Sequence, residues 1–413
     1  MSQEKTVATE IKRVALQQFE QVLKKASEKK ASDVHLKSGL PPIVRVNGNL
    51  YYLGTDAEGK VARLSSQGLV ELAYTLMNKR QRERYEGGEE IDLGYEIAGM
   101  GRYRINICQQ RGVPRMVCRH IPDAIVPLDA LHLPAAIKNL TDGHRGLVLV
   151  TGATGSGKST TLAAIIDEIS KRHSYHILTI EDPIEFVFKD KKSVVTQREV
   201  GLDTKNFASA LKYALRQDPD VILVGEMRDE ETITMALSAA ETGHLVFSTL
   251  HTNDAKETIN RIMGAISPAR QDQVRLQLAA CLVAVVSQRL VSKKDGKGRV
   301  PAVEILLNNA RVRDLIIDPD RTNEIGTVIE ESATIGMQSF DQSLMTLLHG
   351  GLITKEEAIA NCTNPRDFEL RLSGVFSGGW KEGNTGTTTV GGTKSNSIES
   401  AVEIDFDGTY GKK

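Results

Sequence analysis

Cysteine is scarce: Cys108, Cys118, Cys281 and Cys362 are the four in 413 residues, and no two form a C-x-x-C pair. Nothing in that spacing supports a zinc knuckle or a disulfide framework, so free thiols in a reducing cytosol are expected. Excess charge of one sign is also missing, since 52 Lys and Arg against 53 Asp and Glu leave a formal net charge of −1. A global basic field that would hold nucleic acid or an anionic membrane is therefore excluded. Aromatics make up only 5% of the chain, and no aromatic–basic stretch of the kind that stacks bases is found. The longest apolar run, near 278–286, falls well short of the roughly 20 residues of a membrane span. Nor do the first ten residues carry a basic stretch followed by an apolar run, so no signal peptide is expected. These absences point to a cytosolic protein with no nucleic-acid partner.

What is present is the balance of a soluble globular protein, 40% hydrophobic and 25% charged, at a length that suits two or three domains. Ile11, Val14, Ala15, Phe19, Val22, Leu23 and Ala26 recur at helical spacing, which predicts an amphipathic helix over 1–30 that packs on its own domain. Strand-like segments follow at 34–36, 43–46, 50–52, 91–97, 102–108 and 116–119, with Asn47-Gly48 as a hairpin turn. They predict a small α+β domain over 31–120. Pro122, Pro127 and Pro134 mark 121–134 as a linker. Beyond it, apolar strands at 146–150, 177–180, 221–224 and 245–250 alternate with helices, which predicts an α/β core over 135–290 with a parallel sheet. A helical region over 291–376 is expected, with Ser339-x-x-Gln342 and Thr354-x-x-Glu357 as capping boxes. The Gly, Thr and Ser content of 377–413, which holds the single tryptophan Trp380, reads as a disordered tail.

Gly152-Ala153-Thr154-Gly155-Ser156-Gly157-Lys158-Ser159, followed by Thr160, fits G-x-x-x-x-G-K-[ST] in full. A buried-type strand precedes it and an amphipathic helix follows, which is the context the motif requires. Glycines let backbone N–H groups wrap phosphate oxygens, and the helix N-terminus adds a favourable dipole. Lys158 would reach the β- and γ-phosphates of ATP and Ser159 would ligate Mg²⁺. Val221–Val224 is an apolar strand leading into Gly225 and Glu226, so the acid arrives one residue later than a Walker B aspartate. A carboxylate there can orient and deprotonate water or hold the metal's water shell. Glu181 and Asp182, with Glu185, end another strand and could supply the charge that Gly225 does not. His244 and His251 flank the strand 245–250. They are γ-phosphate sensors only if that strand adjoins the phosphate-loop strand.

Five segments together resemble the secretion ATPase family. They are Ser32-Asp33-Val34-His35-Leu36, the phosphate loop, Thr179-Ile180-Glu181-Asp182-Pro183-Ile184-Glu185-Phe186, Gly225-Glu226-Met227-Arg228-Asp229, and Ala240-Glu241-Thr242-Gly243-His244 through Leu250-His251-Thr252. Within the family the chain is most similar to type IV pilus retraction ATPases of the PilT and PilU type, over roughly 31–372. The resemblance implies a PAS-like N-terminal domain, a RecA-like P-loop ATPase domain and a helical C-terminal extension. It further implies a homohexameric ring with Mg-ATP between subunits, working on an inner-membrane pilus platform protein and beside a paralogous motor. Such a protein is cytoplasmic and peripheral to the inner face of the membrane. Glu226 matches the catalytic Walker B glutamate, with Glu226 and Ser159 on the metal side. His244 and His251 match the His-box histidines. Arginines from a neighbouring subunit's N-terminal domain complete such sites; Arg104 and Arg119 occupy the corresponding region, with Arg102 and Arg115 as alternates. Arg216 and Arg228 would sense phosphate within the subunit. The chain departs from the family's AIRNLIRE-like segment at 310–318, keeping the apolar frame and changing the polar end. A retraction motor is the leading reading. A pilus-assembly or type II secretion ATPase, an accessory PilU-type motor, a DNA translocase and a non-hydrolysing nucleotide-gated adaptor are the others.

Overall fold

The structure is a computed structural model that describes residues 2–46, 48–53, 63–121 and 124–373, with side chains from residue 13 onward. Asn47 of the hairpin turn, Pro122 of the linker and the whole of 377–413, Trp380 included, lie outside the described residues. Two compact units divide the described residues, one holding those up to 124 with the short segment 183–187, the other holding 125–182 and 188–373.

In the first unit, helix α1 (Ser2–Glu28) precedes β1 (Asp33–Leu36), β2 (Ile43–Val46) and β3 (Asn49–Tyr52). Helices α2 (Ser66–Leu76) and α3 (Lys79–Glu86) come next, then β4 (Ile91–Ile97), β5 (Gly101–Gln110) and β6 (Val113–Ile121). The six strands form one sheet in the order β3-β2-β1-β6-β5-β4, antiparallel throughout. Phe19, Leu23 and Ala26 of α1, spaced at i, i+4 and i+7, are buried in the core of this unit. Val14, expected on the same face, is instead exposed. Full burial of a side chain such as Leu23 contributes about 1.5–3 kcal/mol. Tyr95 on β4 donates to Glu20 of α1 at 2.7 Å, which fixes the helix further. Alternation along β5 turns Tyr103, Ile105 and Ile107 into the core, so Arg102, Arg104 and Asn106 lie on the sheet's other face.

The second unit opens with α4 (Ala135–Asn139), β7 (Gly146–Thr151) and α5 (Lys158–Arg172), followed by β8 (His176–Glu181) and β9 (Val194–Glu199). Helix α6 (Phe207–Ala214), β10 (Val221–Val224), α7 (Glu230–Glu241), β11 (Leu245–Leu250), α8 (Ala255–Ala265) and α9 (Gln271–Cys281) continue the alternation. Strands β12 (Leu282–Ser292) and β13 (Arg299–Leu307) precede α10 (Ala310–Ile317), α11 (Ile325–Glu331), α12 (Phe340–His349), α13 (Lys355–Asn361) and α14 (Pro365–Leu372). The sheet order is β13-β12-β7-β11-β10-β8-β9, parallel except for the β12–β13 pair. Both faces are covered. Leu147 and Leu149 of β7 join a core with helices α6 to α11, while Val148 and Val150 join another with α5. That is why β7 reads as an uninterrupted apolar run.

The wholly helical reading of 291–376 is corrected here. Residues 299–307 form β13, which pairs with β12 from Ala284↔Leu307 to Ser292↔Arg299. Val291, Val300 and Ala302 of this ribbon form a small core with Phe340, Leu344 and Phe368, so the helices that follow rest on sheet. Ser339 and Gln342 make the reciprocal capping box at the start of α12. At α13, Thr354 accepts from the Glu357 N–H.

Glu304 on β13 accepts from the N–H of Ala255, the first residue of α8, at 2.8 Å. Burial pushes its carboxyl up to about 7, with Asp254 and Asp341 adding to the rise and the Ala255 N–H and Arg289 opposing it. A carboxyl raised on folding is bound to its proton in the native state and not in the unfolded one between about pH 4.5 and 7. Stability therefore falls as pH rises through that window, by an amount on the order of 3 kcal/mol. Glu304→Gln should flatten this fall, so that the variant gains on the wild type between pH 5 and pH 8 in unfolding midpoint. An unchanged difference across that range would remove the titration from Glu304.

Candidate nucleotide-binding and hydrolysis site

The phosphate loop leaves the end of β7 and enters α5. Gly152 has φ 142° and Gly157 φ 93°, conformations that a side chain disfavours. Space is closed as well: a Cβ on Gly152 would lie 2.4 Å from the Gln288 carbonyl oxygen, and one on Gly157 would lie 2.6 Å from Gln288 Nε2. Ala153, Thr154 and Gly155 form the exposed crest, and Ser156 N–H turns back to the Ala153 carbonyl at 3.2 Å. Lys158 is buried, its Nζ donating to the Gly152 carbonyl at 2.7 Å and the Ala153 carbonyl at 3.0 Å. Ser159 and Thr160 follow in the first turn of α5, both half-buried. The buried Ser156 Oγ finds no hydrogen-bond partner among the described residues. A backbone cradle that only glycine can form, an inward ammonium, a helix N-terminus and an orphaned hydroxyl fit a polyphosphate.

Neighbouring strands bring the acids and one histidine to the same edge. Strand β11 adjoins β7 with Leu250 opposite Thr151, so His251 emerges level with the start of the loop. Next comes β10, ending at Val224. Gly225 follows, its N–H bonded to the Ile180 carbonyl at 2.8 Å and its carbonyl to Thr249 Oγ1 at 2.6 Å. A Cβ on Gly225 would sit 3.2 Å from the Ile180 oxygen and 3.4 Å from Glu181 Cα. An aspartate there would crowd β8, which accounts for the acid arriving at Glu226. Glu226 Oε1 lies 2.7 Å from Arg228 Nε, and its Oε2 lies 3.4 Å from His251 Nε2. The Arg228 guanidinium is held more firmly protonated by its hydrogen bond to Glu226 and by that charge, with Asp182 adding to the effect. Glu181, at the end of β8, is buried and accepts from Thr179 Oγ1 at 2.7 Å and Gln197 Nε2 at 3.1 Å; Asp182 beside it is exposed. The order along the edge is thus phosphate loop, His251, Glu226, then Glu181 and Asp182. Two strand spacings, about 10 Å, separate the loop's strand from that of Glu226, room for a terminal phosphoryl group and a water.

Two expected residues are not brought to this edge. His244 precedes β11 by one residue, at the start of β7, where its carbonyl accepts from the Gly146 N–H. Its Nδ1 is 2.9 Å from the Ala239 carbonyl, and it lines a pocket of about 240 Å³ with His144, Tyr175, Asp220 and Thr242. Arg216 sits on the loop that enters β10, also at the far end of the sheet. In a parallel sheet only one flank of each strand can face the loop, and His251 holds that flank. Arg104 and Arg119 belong to the first unit, directly opposite each other on β5 and β6. Arg119 is 68% exposed and donates from Nε to the buried Asp33 at 2.9 Å. Arg104 approaches Asp92 at 3.5 Å. The alternates Arg102 and Arg115 are half-buried like Arg104, and the Arg102 side chain lies across Gly94. Sequence reasoning passed over Thr249, Gln197 and Gln288; a lone amide inside the apolar stretch 282–291 was the one available signal.

A family model described as "Type II/IV secretion system protein" matches residues 10–328. The type IV pilus retraction ATPase PilT of Pseudomonas aeruginosa is 44% identical over 338 residues, 82% of this chain and 96% of that protein. The type IV pilus ATPase PilU of the same organism is 40% identical over 355 residues, covering 86% of this chain and 91% of its own. Among solved structures, the pilus retraction motor PilT with bound ADP superposes with a TM-score of 0.75 at 46% identity, covering 84% of this chain and 98% of that one. The parallel sheet, the loop after β7 and these matches agree, and the chain belongs to the Type II/IV secretion system protein family as one of its RecA-like ATPases.

Proposed function

We propose that this protein is a motor that spends ATP to retract type IV pili, withdrawing pilin subunits at the pilus base. The observation that carries the ATPase chemistry is the convergence of phosphate loop, His251 and Glu226 on one sheet edge. The assignment to retraction is supported by PilT, the retraction ATPase to which the chain is similar over 96% of that protein's length.

In this reading the loop N–H groups and Lys158 bind the phosphates, the ammonium exchanging its two loop carbonyls for β- and γ-oxygens. Ser159 would hold Mg²⁺, with Glu226 on its water shell, and the ion would supply charge neutralisation at the phosphates. Glu226 orients the attacking water and takes its proton, and His251 and Arg228 set the carboxylate's direction. Glu181 and Asp182 position water or metal. The chain works as a homohexamer in which Arg104 and Arg119 of a neighbouring copy stabilise charge on the transferring phosphoryl group. The load is a platform protein at the inner face of the cytoplasmic membrane, with a paralogous motor as a further partner. No helix among the described residues is long and apolar enough to cross a membrane, which suits a peripheral location.

A second reading, an accessory motor of the PilU type, is favoured by one segment. Helix α10 keeps its apolar frame, with Val312, Leu315 and Ile316 buried, while its polar side departs from the retraction pattern. Deleting the gene and counting surface pili tests both. More pili with lost twitching is the expected result. Loss of pili would mean assembly, and normal pili with weakened retraction only under load would favour the accessory motor.

A further inference from the structure

We propose that Gln288 is a positioning residue for ATP turnover, clamping the phosphate loop from below by touching both of its ends. The inference rests on the reading that this loop binds ATP. Strand β12 lies beside β7 on the side away from β11, with Ser287 opposite Thr151. The two residues are joined by a hydrogen bond from Thr151 Oγ1 to Ser287 Oγ at 3.0 Å. Gln288 is therefore level with the point where the loop begins, and it is only 3% exposed.

Three parts of this one residue meet the two ends of the loop and the helix that follows it. Its carbonyl oxygen faces Gly152, where a Cβ would come within 2.4 Å. Its side-chain Oε1 accepts from the buried Thr161 Oγ1, in the first turn of α5, at 2.9 Å. Its Nε2 faces Gly157, where a Cβ would come within 2.6 Å. The entry of the loop is thus held against the backbone of this residue, and the exit and the helix behind it against its side chain. A buried amide that is anchored at its acceptor end keeps one orientation. A loop whose N–H groups must already point inward when phosphate arrives gains from such support, because reorganisation would otherwise be subtracted from binding.

The choice of amide follows from charge. Glutamate is isosteric and would still accept from Thr161, but it would place a negative charge under a loop built for a polyanion. Leucine would fill the space and remove the acceptor. In the purified full-length protein, Gln288→Leu should raise the Kd of a fluorescent ATP analogue and the KM for ATP about tenfold, with a smaller fall in kcat. Gln288→Glu should raise both by at least fivefold. Thr161→Val combined with Gln288→Leu should cost little more than Gln288→Leu alone, because each removes the same bond. A purely structural role would lower the melting temperature and leave the KM and the cycle's coupling unmoved. If the leucine variant fails to fold, the glutamate variant decides. Either folded variant with Kd and KM within twofold of wild type would overturn the proposal. Absence of ATP binding by the wild type would instead overturn the underlying nucleotide reading.

Discussion

Glu226→Ala should bind ATP about as tightly as the wild type and hydrolyse it roughly a thousandfold more slowly, within the range general-base loss produces. The structure says why the loss should fall on turnover rather than on folding. Glu226 follows β10 at the sheet's edge, and its two partners are solvated: Arg228 is 75% exposed and His251 is exposed to 43%. Neither is left as a buried charge when the carboxylate goes, so no large stability penalty arises. The phosphate loop draws its contacts from β12 and α5 and does not depend on Glu226. Steady-state hydrolysis together with equilibrium nucleotide binding checks the separation. Unchanged hydrolysis would sink the general-base assignment, and lost binding would move Glu226 from chemistry to the ground state.

Lys158→Ala should show the opposite division, with nucleotide affinity falling on the order of a hundredfold and turnover falling with it. A charge-assisted hydrogen bond contributes about 1.5–3 kcal/mol, and the ammonium is poised to make more than one. It is already out of water and aimed into the loop by the carbonyls of Gly152 and Ala153. Alanine at this position would leave those carbonyls facing the phosphates, an added repulsion that arginine or glutamine would only partly relieve. Titration with a fluorescent nucleotide measures the effect directly. Affinity within threefold of wild type would mean that the loop holds phosphate through its backbone alone.

The parts of the fold buried on both faces were legible in the amino-acid order. Strands β10 and β11 run over the residues expected, because unbroken apolar runs such as Val221–Val224 have no other stable environment. Legibility failed where one face is wet. Strand β9, with a single fully buried residue in Val194–Glu199, gave no periodic signal, and β13 was absorbed into a helical expectation because helices follow it closely. The phosphate loop and Glu226 were visible as local spacing, since their chemistry is contiguous in the chain. His244 and His251 looked equivalent because both flank β11; only strand direction separates them, and it leaves His251 at the loop. Gln288 is 127 residues from its partner Thr161, and no local pattern announces a contact of that range. The role of Gly225 was likewise hidden, because the atoms that exclude a side chain there belong to β8.

Strand β12 carries a consequence for how this protein can change over evolutionary time. Gln288 points beneath the phosphate loop, while its neighbour Arg289 lies over the Phe340 ring at 3.9 Å and donates to the Asn361 carbonyl at 2.9 Å. Successive residues of a strand face opposite ways, so one residue deleted ahead of Gln288 would move Arg289 into its place and Leu290 into that of Arg289. A guanidinium would then enter the loop's floor and the Phe340 ring would lose its cation, two failures from a single deletion. Substitutions along β12 can be tested one by one, but its length cannot drift. The place on this side of the molecule where a changed length would leave that register intact is the 293–298 turn between β12 and β13, where Gly296 and Gly298 already take the left-handed backbone.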